Sequence, residues 1–330
     1  MITVAHLTPP HRTMVMGIVN VTTDSFSDGG KWIELDKAVE HARELIRLGA
    51  DMIDVGAEST RPGATRVPPE LEARRASDLI RALNDEGIST SVDTMRASTA
   101  QAAADAGVHM INDVSGGLAD PAMYKVMADT GLPVCLMHWR TVQSGEFGDA
   151  AGAADHGGDV VRDVHETLQR LVDNALAAGV EHDQIVLDPG LGFAKTAADN
   201  WALLNALPEF IAGEFPLLVG ASRKRFLTEI RAARGLDHGP LDADPATAAV
   251  TTISAHLGAW GVRVHEVAVS RDAVDVAASV RAGVRTGART GTKESAAGAR
   301  TGGEVSAAGA RTGGEVSAAG ARTGTEGSNG

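Results

Sequence analysis

The chain has one cysteine, Cys135, in 330 residues. A single thiol excludes a disulfide framework and a cysteine-based zinc site, and it fits a reducing compartment, the cytoplasm. No stretch approaches the ~20 uninterrupted apolar residues that a membrane-spanning helix needs. The first residues, MITVAHLTPPHR, lack a basic segment followed by an apolar one, so no secretory signal is read there. Basic charge is scarce as well, with 30 Lys and Arg against 43 Asp and Glu and a net charge of −13. From Val284 onward six basic residues face four acidic ones, which leaves −15 on residues 1–283. A body this acidic argues against general nucleic-acid binding, and it makes any local basic cluster informative. The Gly-rich fingerprint of a dinucleotide-binding sheet is also missing.

The last stretch differs in kind from the rest. SAAGARTGGEV begins at Ser295, recurs at Ser306 and starts again at Ser317, a period of eleven residues. Each copy has three glycines and almost no large apolar residue, so stacked copies would bury nothing. The expectation is a disordered repeat tail over 284–330, after an N-terminal extension over 1–11 and one domain over 12–283.

Within that domain, apolar runs of strand length fall at 14–19, 51–55, 88–92, 109–114, 132–137, 184–187, 216–220 and 262–266. Helix-like stretches lie between them; DKAVEHARELIRLGA, for example, places Ala38, Ala42, Leu45 and Ile46 on one face. Runs such as MVMGIVN and PLLVGAS are apolar on both faces, as strands of a parallel sheet must be. Eight such alternations in about 270 residues predict a (β/α)8 TIM barrel rather than a doubly wound open sheet.

A barrel of this kind builds its site at the C-terminal ends of its strands. Reading those ends in order gives Asn20, Asp54 with Glu58, Asp93, Asn112 with Asp113, His138, Asp188, Ser222 to Lys224, and Arg263 with His265. Every strand therefore ends in a hydrogen-bonding or ionisable residue. Asp93, Asn112 and Asp188 close apolar runs, and buried carboxylates are costly unless paired. A flat heterocycle with an amidine-like edge, such as guanine or a pterin, would offer one carboxylate two adjacent N–H donors. Capping of the following helix by Asp93 and fixing of the DPGLGF turn by Asp188 are the plainer alternatives. Arg61, Lys224, Arg263 and His265 form the basic part, and ASRK opens a helix directly after a strand, a geometry that attracts anions. Together they imply an anionic substrate group, with diphosphate the economical choice. Pairing of Arg61 and Arg263 with carboxylates such as Glu58 and Glu266 is the competing reading. Two loops, NVTTDSFSDGGKW and GAESTRPGATRVPPE, lack any helix or strand period and resemble lids over the site. WRTVQSGEFGDAAGAADHGG is long but chemically plain, and His156, His182, His238 and His256 lack metal-ligand spacing and read as surface or packing residues.

MGIVNVTTDSFSDGG and DMIDVGAESTRPGA resemble the two signature segments of the dihydropteroate synthase family. SVDTMR, INDVSGG, LMHWR, LDPGLGFAKT, GASRKRFL and GVRVH resemble its remaining blocks in the same order, over about residues 12–280. MHWR and DPGLGFAKT look most like the actinobacterial branch. Thr23 stands where the family signature more often has proline, and the repeat tail has no counterpart in the family pattern. The resemblance implies a TIM barrel that joins 6-hydroxymethyl-7,8-dihydropterin diphosphate to p-aminobenzoate, releasing 7,8-dihydropteroate and pyrophosphate. By motif position it implies Asn20 at the diphosphate and its Mg²⁺, and Arg263 with His265 on the phosphates. Thr60 and Arg61 would border the diphosphate and the aminobenzoate. Asp93, Asn112 and Asp188 would hold the pterin, with Lys224 and the Phe193 loop against it. Gly220 would line the pocket, Ser222 would help receive the aminobenzoate carboxylate, and Phe26 would close over it. The resemblance further implies a homodimer. A pterin-binding methyltransferase-type barrel and a non-catalytic pterin-binding paralogue are the alternatives. The first needs neither a diphosphate clamp nor the SRKRFL block, and the second would be expected to have lost Asn20, Arg61, Lys224 or His265.

Overall fold

The structure, a computed structural model, describes residues 2–21, 31–58, 67–140 and 154–290. The chain divides into a compact unit, Met1–Thr286, and a second, Gly287–Gly330, of which residues 287–290 are described. The repeats from Ser295, with the disorder expected of them, lie outside the described residues.

Eight strands, all parallel, form one sheet: β1 (Met14–Asn20), β2 (Met52–Gly56), β3 (Thr90–Asp93), β4 (Met110–Asp113), β5 (Val134–Met137), β6 (Ile185–Asp188), β7 (Leu218–Val219) and β8 (Gly261–Val264). Their order is β6-β5-β4-β3-β2-β1-β8-β7, and a parallel bridge between Leu187 and Leu217 joins the two ends. The sheet thus closes on itself as the expected TIM barrel. The helices are α1 (Val4–Leu7), α2 (Lys31–Arg47), α3 (Pro69–Asn84), α4 (Ala97–Asp105), α5 (Met123–Thr130), α6 (Val160–Ala178), α7 (Ala197–Asn205), α8 (Leu207–Ile211), α9 (Arg225–Ala232), α10 (Asp244–Leu257) and α11 (Val267–Thr290). Local chemistry sets several of their ends. Asp159 caps α6 by accepting the Arg162 N–H at 3.0 Å, and Thr196 and Asp199 form a capping box at α7. Gly179, at φ 102°, ends α6 in a conformation that a side chain would strain.

Successive strand residues point to opposite faces, and the two faces have different jobs here. Val15, Val19, Ile53, Val55, Val92, Ile111, Val134, Leu136, Ile185, Val219, Val262 and Val264 face outward and pack against the helices as the main core. The inward positions change character with height. Met14, Met16, Met52, Met110, Cys135, Val186 and Leu218 fill the lower interior with apolar side chains. Two residues further along their strands, the same pleat presents Asp54, Asn112, Asp188 and Gly220, joined by Asp93 and Arg263. One sequence periodicity therefore lays a dry floor and a polar upper layer in the same barrel.

Of residues 1–11, expected to be an extension, the described part from residue 2 packs onto the barrel. Val4 of α1 packs into the cluster of floor methionines together with Trp260, and the Trp260 indole N–H donates to Thr8 Oγ1 at 2.8 Å. At the other end the backbone of α11 runs to Thr290, past the boundary expected near 283.

Met16 is fully buried in that floor. Met16→Ala is expected to lower unfolding free energy by about 2–5 kcal/mol, because the barrel interior cannot collapse around the lost volume. Denaturant unfolding followed by circular dichroism checks this.

Candidate active site

The polar layer is organised around Arg263. It rises from β8 into the interior, where Nε donates to Asp54 Oδ2 at 2.6 Å and Nη2 to Asp93 Oδ2 at 2.7 Å. Burial disfavours the guanidinium charge, but Asp54 and Asp93 more than offset this and hold its pKa above the ordinary value. Arg263 is thus satisfied by carboxylates of β2 and β3, rather than by Glu266. Asp54, fully buried, also accepts from Ser91 Oγ at 2.5 Å and from Asn112 Nδ2 at 3.3 and 3.4 Å. Asp54 was visible as a strand-end residue, but nothing in the sequence marked it as the hub joining β2, β3, β4 and β8.

Asp93 does not cap the next helix, whose N-cap is Arg96 without a side-chain bond. Its Oδ1 is buried and has no hydrogen-bond partner among the described residues. Burial raises the Asp93 carboxyl to about 7 against the pull of Arg263, with the Asp54 charge adding to the rise. Asp188 fixes the DPGLGF turn, the plainer of the readings the sequence allowed. Its Oδ1 accepts the Gly190 N–H at 2.7 Å and fixes the turn, while Oδ2 faces Gly220, where an added Cβ would sit 3.4 Å away. Burial raises its pKa too, against the Gly190 N–H and the Lys224 charge. Asp113 serves the loop after β4, accepting from Ser115 N, Ser115 Oγ and Gly117 N at 2.7–2.8 Å.

Lys224 stands at the N-cap of α9, with Nζ 3.9 Å from the centre of the Phe193 ring. Burial, with the charge of Arg263 adding to it, lowers its ammonium to about 8, while Asp188 and Asp93 pull it back up. Its neighbour Arg223 is structural, clamped on Asp244 by two bonds of 2.8 Å at φ 58°. Ser222 and His265 belong together, because Ser222 Oγ lies 3.0 Å from His265 Nδ1 and accepts the His265 N–H at 3.1 Å. Asn20, exposed at the end of β1, lays Oδ1 over Gly56, where any Cβ would come within 2.5 Å of it. Met95, Val114 and Met137, with Ala119, Trp139 and Phe193, make an apolar wall at the rim.

Phe26, Thr60 and Arg61, with Asp24 and Asp28, lie outside the described residues. The two ends of the second loop are described, and they are joined. Glu58 Oε1 accepts the Val67 N–H at 2.8 Å, and Arg96 ties Glu58 to Glu72. Sequence reasoning missed two further features. Lys195, only 5% exposed, sits below the Asp188 turn. His156, read as a surface or packing residue, is buried and shares Asp163 with His138. These three could geometrically hold a cation, but Asp163 already faces Arg140 and His138 Nδ1 lies 2.9 Å from Lys195 Nζ, so protein cations occupy that place.

The closed parallel barrel thus gathers the buried carboxylates of Asp54, Asp93 and Asp188, the Asn112 amide and Lys224 around its mouth. The family model described as pterin binding enzyme matches residues 16–265. The dihydropteroate synthase of Mycobacterium leprae is 48% identical over 263 residues, 79% of this chain and 91% of that protein. The dihydropteroate synthase of Bacillus subtilis is 42% identical over 257 residues, 78% and 84% of the two chains. Among solved structures, Xanthomonas albilineans dihydropteroate synthase with 4-aminobenzoic acid superposes at TM-score 0.73, with 42% identity, over 82% of this chain and 94% of that one. The chain belongs to the dihydropteroate synthase family, a family of transferases.

The raised pKa of Asp93 carries a consequence for stability. Its value rises from 3.8 to about 7 on folding, so the folded chain holds a proton that the unfolded chain has released. The stabilisation is complete below about pH 4 and is lost as pH rises through about 7. Asp93→Asn is therefore expected to lose less stability than the parent chain between about pH 5 and about pH 7.5. Denaturant titrations of both proteins at the two pH values measure the difference.

Proposed function

We propose that the chain condenses 6-hydroxymethyl-7,8-dihydropterin diphosphate with p-aminobenzoate, giving 7,8-dihydropteroate and pyrophosphate. The observation that carries this reading is the buried Asp93 Oδ1, which has no hydrogen-bond partner among the described residues and lies next to Asn112 in the sheet. An unsatisfied buried acceptor costs about 1–3 kcal/mol, and a pterin N–H donor would remove that cost. The dihydropteroate synthase of Burkholderia cenocepacia, 36% identical with TM-score 0.71 over 84% of this chain and 94% of that one, is described in complex with 7,8-dihydropteroate.

The substitution is dissociative in this reading. The bond between the pterin methylene and the diphosphate oxygen breaks first, and its electron pair leaves with the diphosphate. The methylene left behind is cation-like, and the carboxylates of Asp93 and Asp188 stabilise the positive charge spread into the ring. Arg263 and His265 supply positive charge and donors on the departing side, and Lys224 stands against the pterin. Arg263 reaches that side already held by Asp54 and Asp93, so its orientation is set before substrate arrives. The aminobenzoate nitrogen then bonds to the methylene and loses one proton. An arylamine facing a carbocation needs no strong base for this. Ser222, Thr60, Arg61 and Phe26 would receive the aminobenzoate.

Mg²⁺ fits this donor set, because a hard ion that keeps several waters and binds substrate phosphates needs few protein oxygens. Asn20 Oδ1, kept open by Gly56, is the one offered among the described residues. When bound, the ion would neutralise charge developing on the diphosphate. A methyltransferase-type barrel is not favoured by these relatives, and the sequence keeps Asn20, Arg61, Lys224 and His265, of which a non-catalytic paralogue would be expected to have lost one or more.

The test follows pyrophosphate from the pterin diphosphate with and without p-aminobenzoate. Release coupled one to one with dihydropteroate, and abolished by a chelator, is expected; no release under either condition overturns the reading. Lys224→Ala and Asp188→Asn should each lower kcat/KM by about 10²–10³-fold, the range for losing one preorganised electrostatic group. Near-native values would remove the dissociative route. The chain would act as a homodimer, a reading supported by apolar side chains exposed on α10 and α11, such as Ile253 at 54% and Val276 at 57%. Sedimentation should then report about twice the 34.0 kDa of one chain.

A further inference from the structure

Lys195 lies in the turn between β6 and α7, buried to 5% exposure. Burying an ammonium is expensive unless all three donors are used, and a methionine of similar length would avoid the cost. Here each donor has an acceptor. Nζ bonds to Gly190 O at 2.9 Å, Phe193 O at 3.1 Å and His138 Nδ1 at 2.9 Å. Two of the three are main-chain carbonyls of the turn that begins with Asp188.

That turn is threaded through tight space. Gly190, Gly192 and Ala194 all have positive φ, and Ala194 at 48° is unusual for a residue with a side chain. A Cβ on Gly190 would come 2.2 Å from His138 O, and one on Gly192 would come 2.6 Å from the Lys224 side chain. The turn therefore carries Asp188 and Phe193 while lying directly against Lys224. It is tied on both sides. Gly192 N–H donates to Asn200 Oδ1 at 2.6 Å, and Ala194 O accepts from His156 Nε2 at 3.1 Å. His156 and His138 both lean on Asp163 of α6, which faces Arg140 as well. His138 accepts from Lys195 at Nδ1 and presents Nε2–H to Asp163 at 3.3 Å. Burial and the Lys195 charge keep that imidazole neutral, with its pKa lowered to about 3.

We propose that Lys195 is a positioning residue for the pterin pocket: its Nζ, braced by His138, Asp163 and His156, holds the Gly190 and Phe193 carbonyls and so sets Asp188, Phe193 and Lys224 in register. The assignment of the pocket to a pterin rests on the function proposed above; the bracing of the turn does not. Lys195→Met removes the three donors and preserves volume. Two measurements on the full chain decide the matter. The first is amide hydrogen exchange over residues 188–195 without ligand, and the second is the calorimetric Kd of 6-hydroxymethylpterin, with the KM for p-aminobenzoate as an internal control. Lys195→Met should exchange at least tenfold faster across the turn and bind the pterin at least tenfold more weakly, with the aminobenzoate KM within twofold and α6 exchange unchanged. Unchanged exchange in the turn, or a pterin Kd within twofold of the parent, overturns the proposal. If Lys195→Met does not fold, Asn200→Ala, which frees the Gly192 N–H on the opposite side of the same turn, must weaken the pterin tenfold, and an unchanged Kd overturns the proposal. A parent chain that binds no pterin defeats the proposed function instead, while the exchange rates still decide the role of Lys195.

Discussion

The buried guanidinium of Arg263 between Asp54 and Asp93 is the constraint on which the mouth of this barrel depends. A cation two residues above an apolar floor must be matched by carboxylates, because an unpaired buried charge costs several kcal/mol. The match comes from β2 and β3, across the closed sheet from β8. Asp54 then needs donors of its own and takes them from Ser91 and Asn112. These two ion pairs therefore fix the side chains of four strands and leave Asp93 Oδ1 without a hydrogen-bond partner among the described residues. The orientation of the polar groups at the mouth is thus a consequence of how the protein neutralises its own interior.

The same arrangement explains why the ionisable groups at the mouth are displaced in both directions. Burial pushes Asp93 and Asp188 up and Lys224 down, and each partly corrects the others. Such a set is poised rather than relaxed: N–H donors brought to the carboxylates would resolve it. The methionine floor contributes by excluding water from below, which keeps these interactions strong. Stability is given up locally in exchange, a common balance at functional sites.

Much of this was legible in the sequence because a parallel barrel imposes a simple code. Each strand is apolar on both faces and then turns polar at its C-terminal end, so Asn20, Asp93, Asn112, Asp188 and Arg263 could be placed without knowing any contact. The lost details depend on closure. Asp54 meets Arg263 from a strand more than 200 residues away in the chain, and no local spacing encodes that pairing. Lys195 sits in a Gly-rich turn where a lysine ordinarily reads as solvent-exposed, and only the threading of the turn buries it. The four-residue α1 was too short for any periodicity to distinguish it from a tail, yet Val4 seals the barrel floor.

The most direct test is a crystal structure of the chain with bound 6-hydroxymethylpterin. The account predicts the ring inside the circle of strand ends, with its N–H groups within hydrogen-bonding distance of Asp93 Oδ1 and Asp188. Arg263 would keep its bonds to Asp54 and Asp93. A pterin bound elsewhere, or one that leaves Asp93 Oδ1 unpartnered, would contradict it.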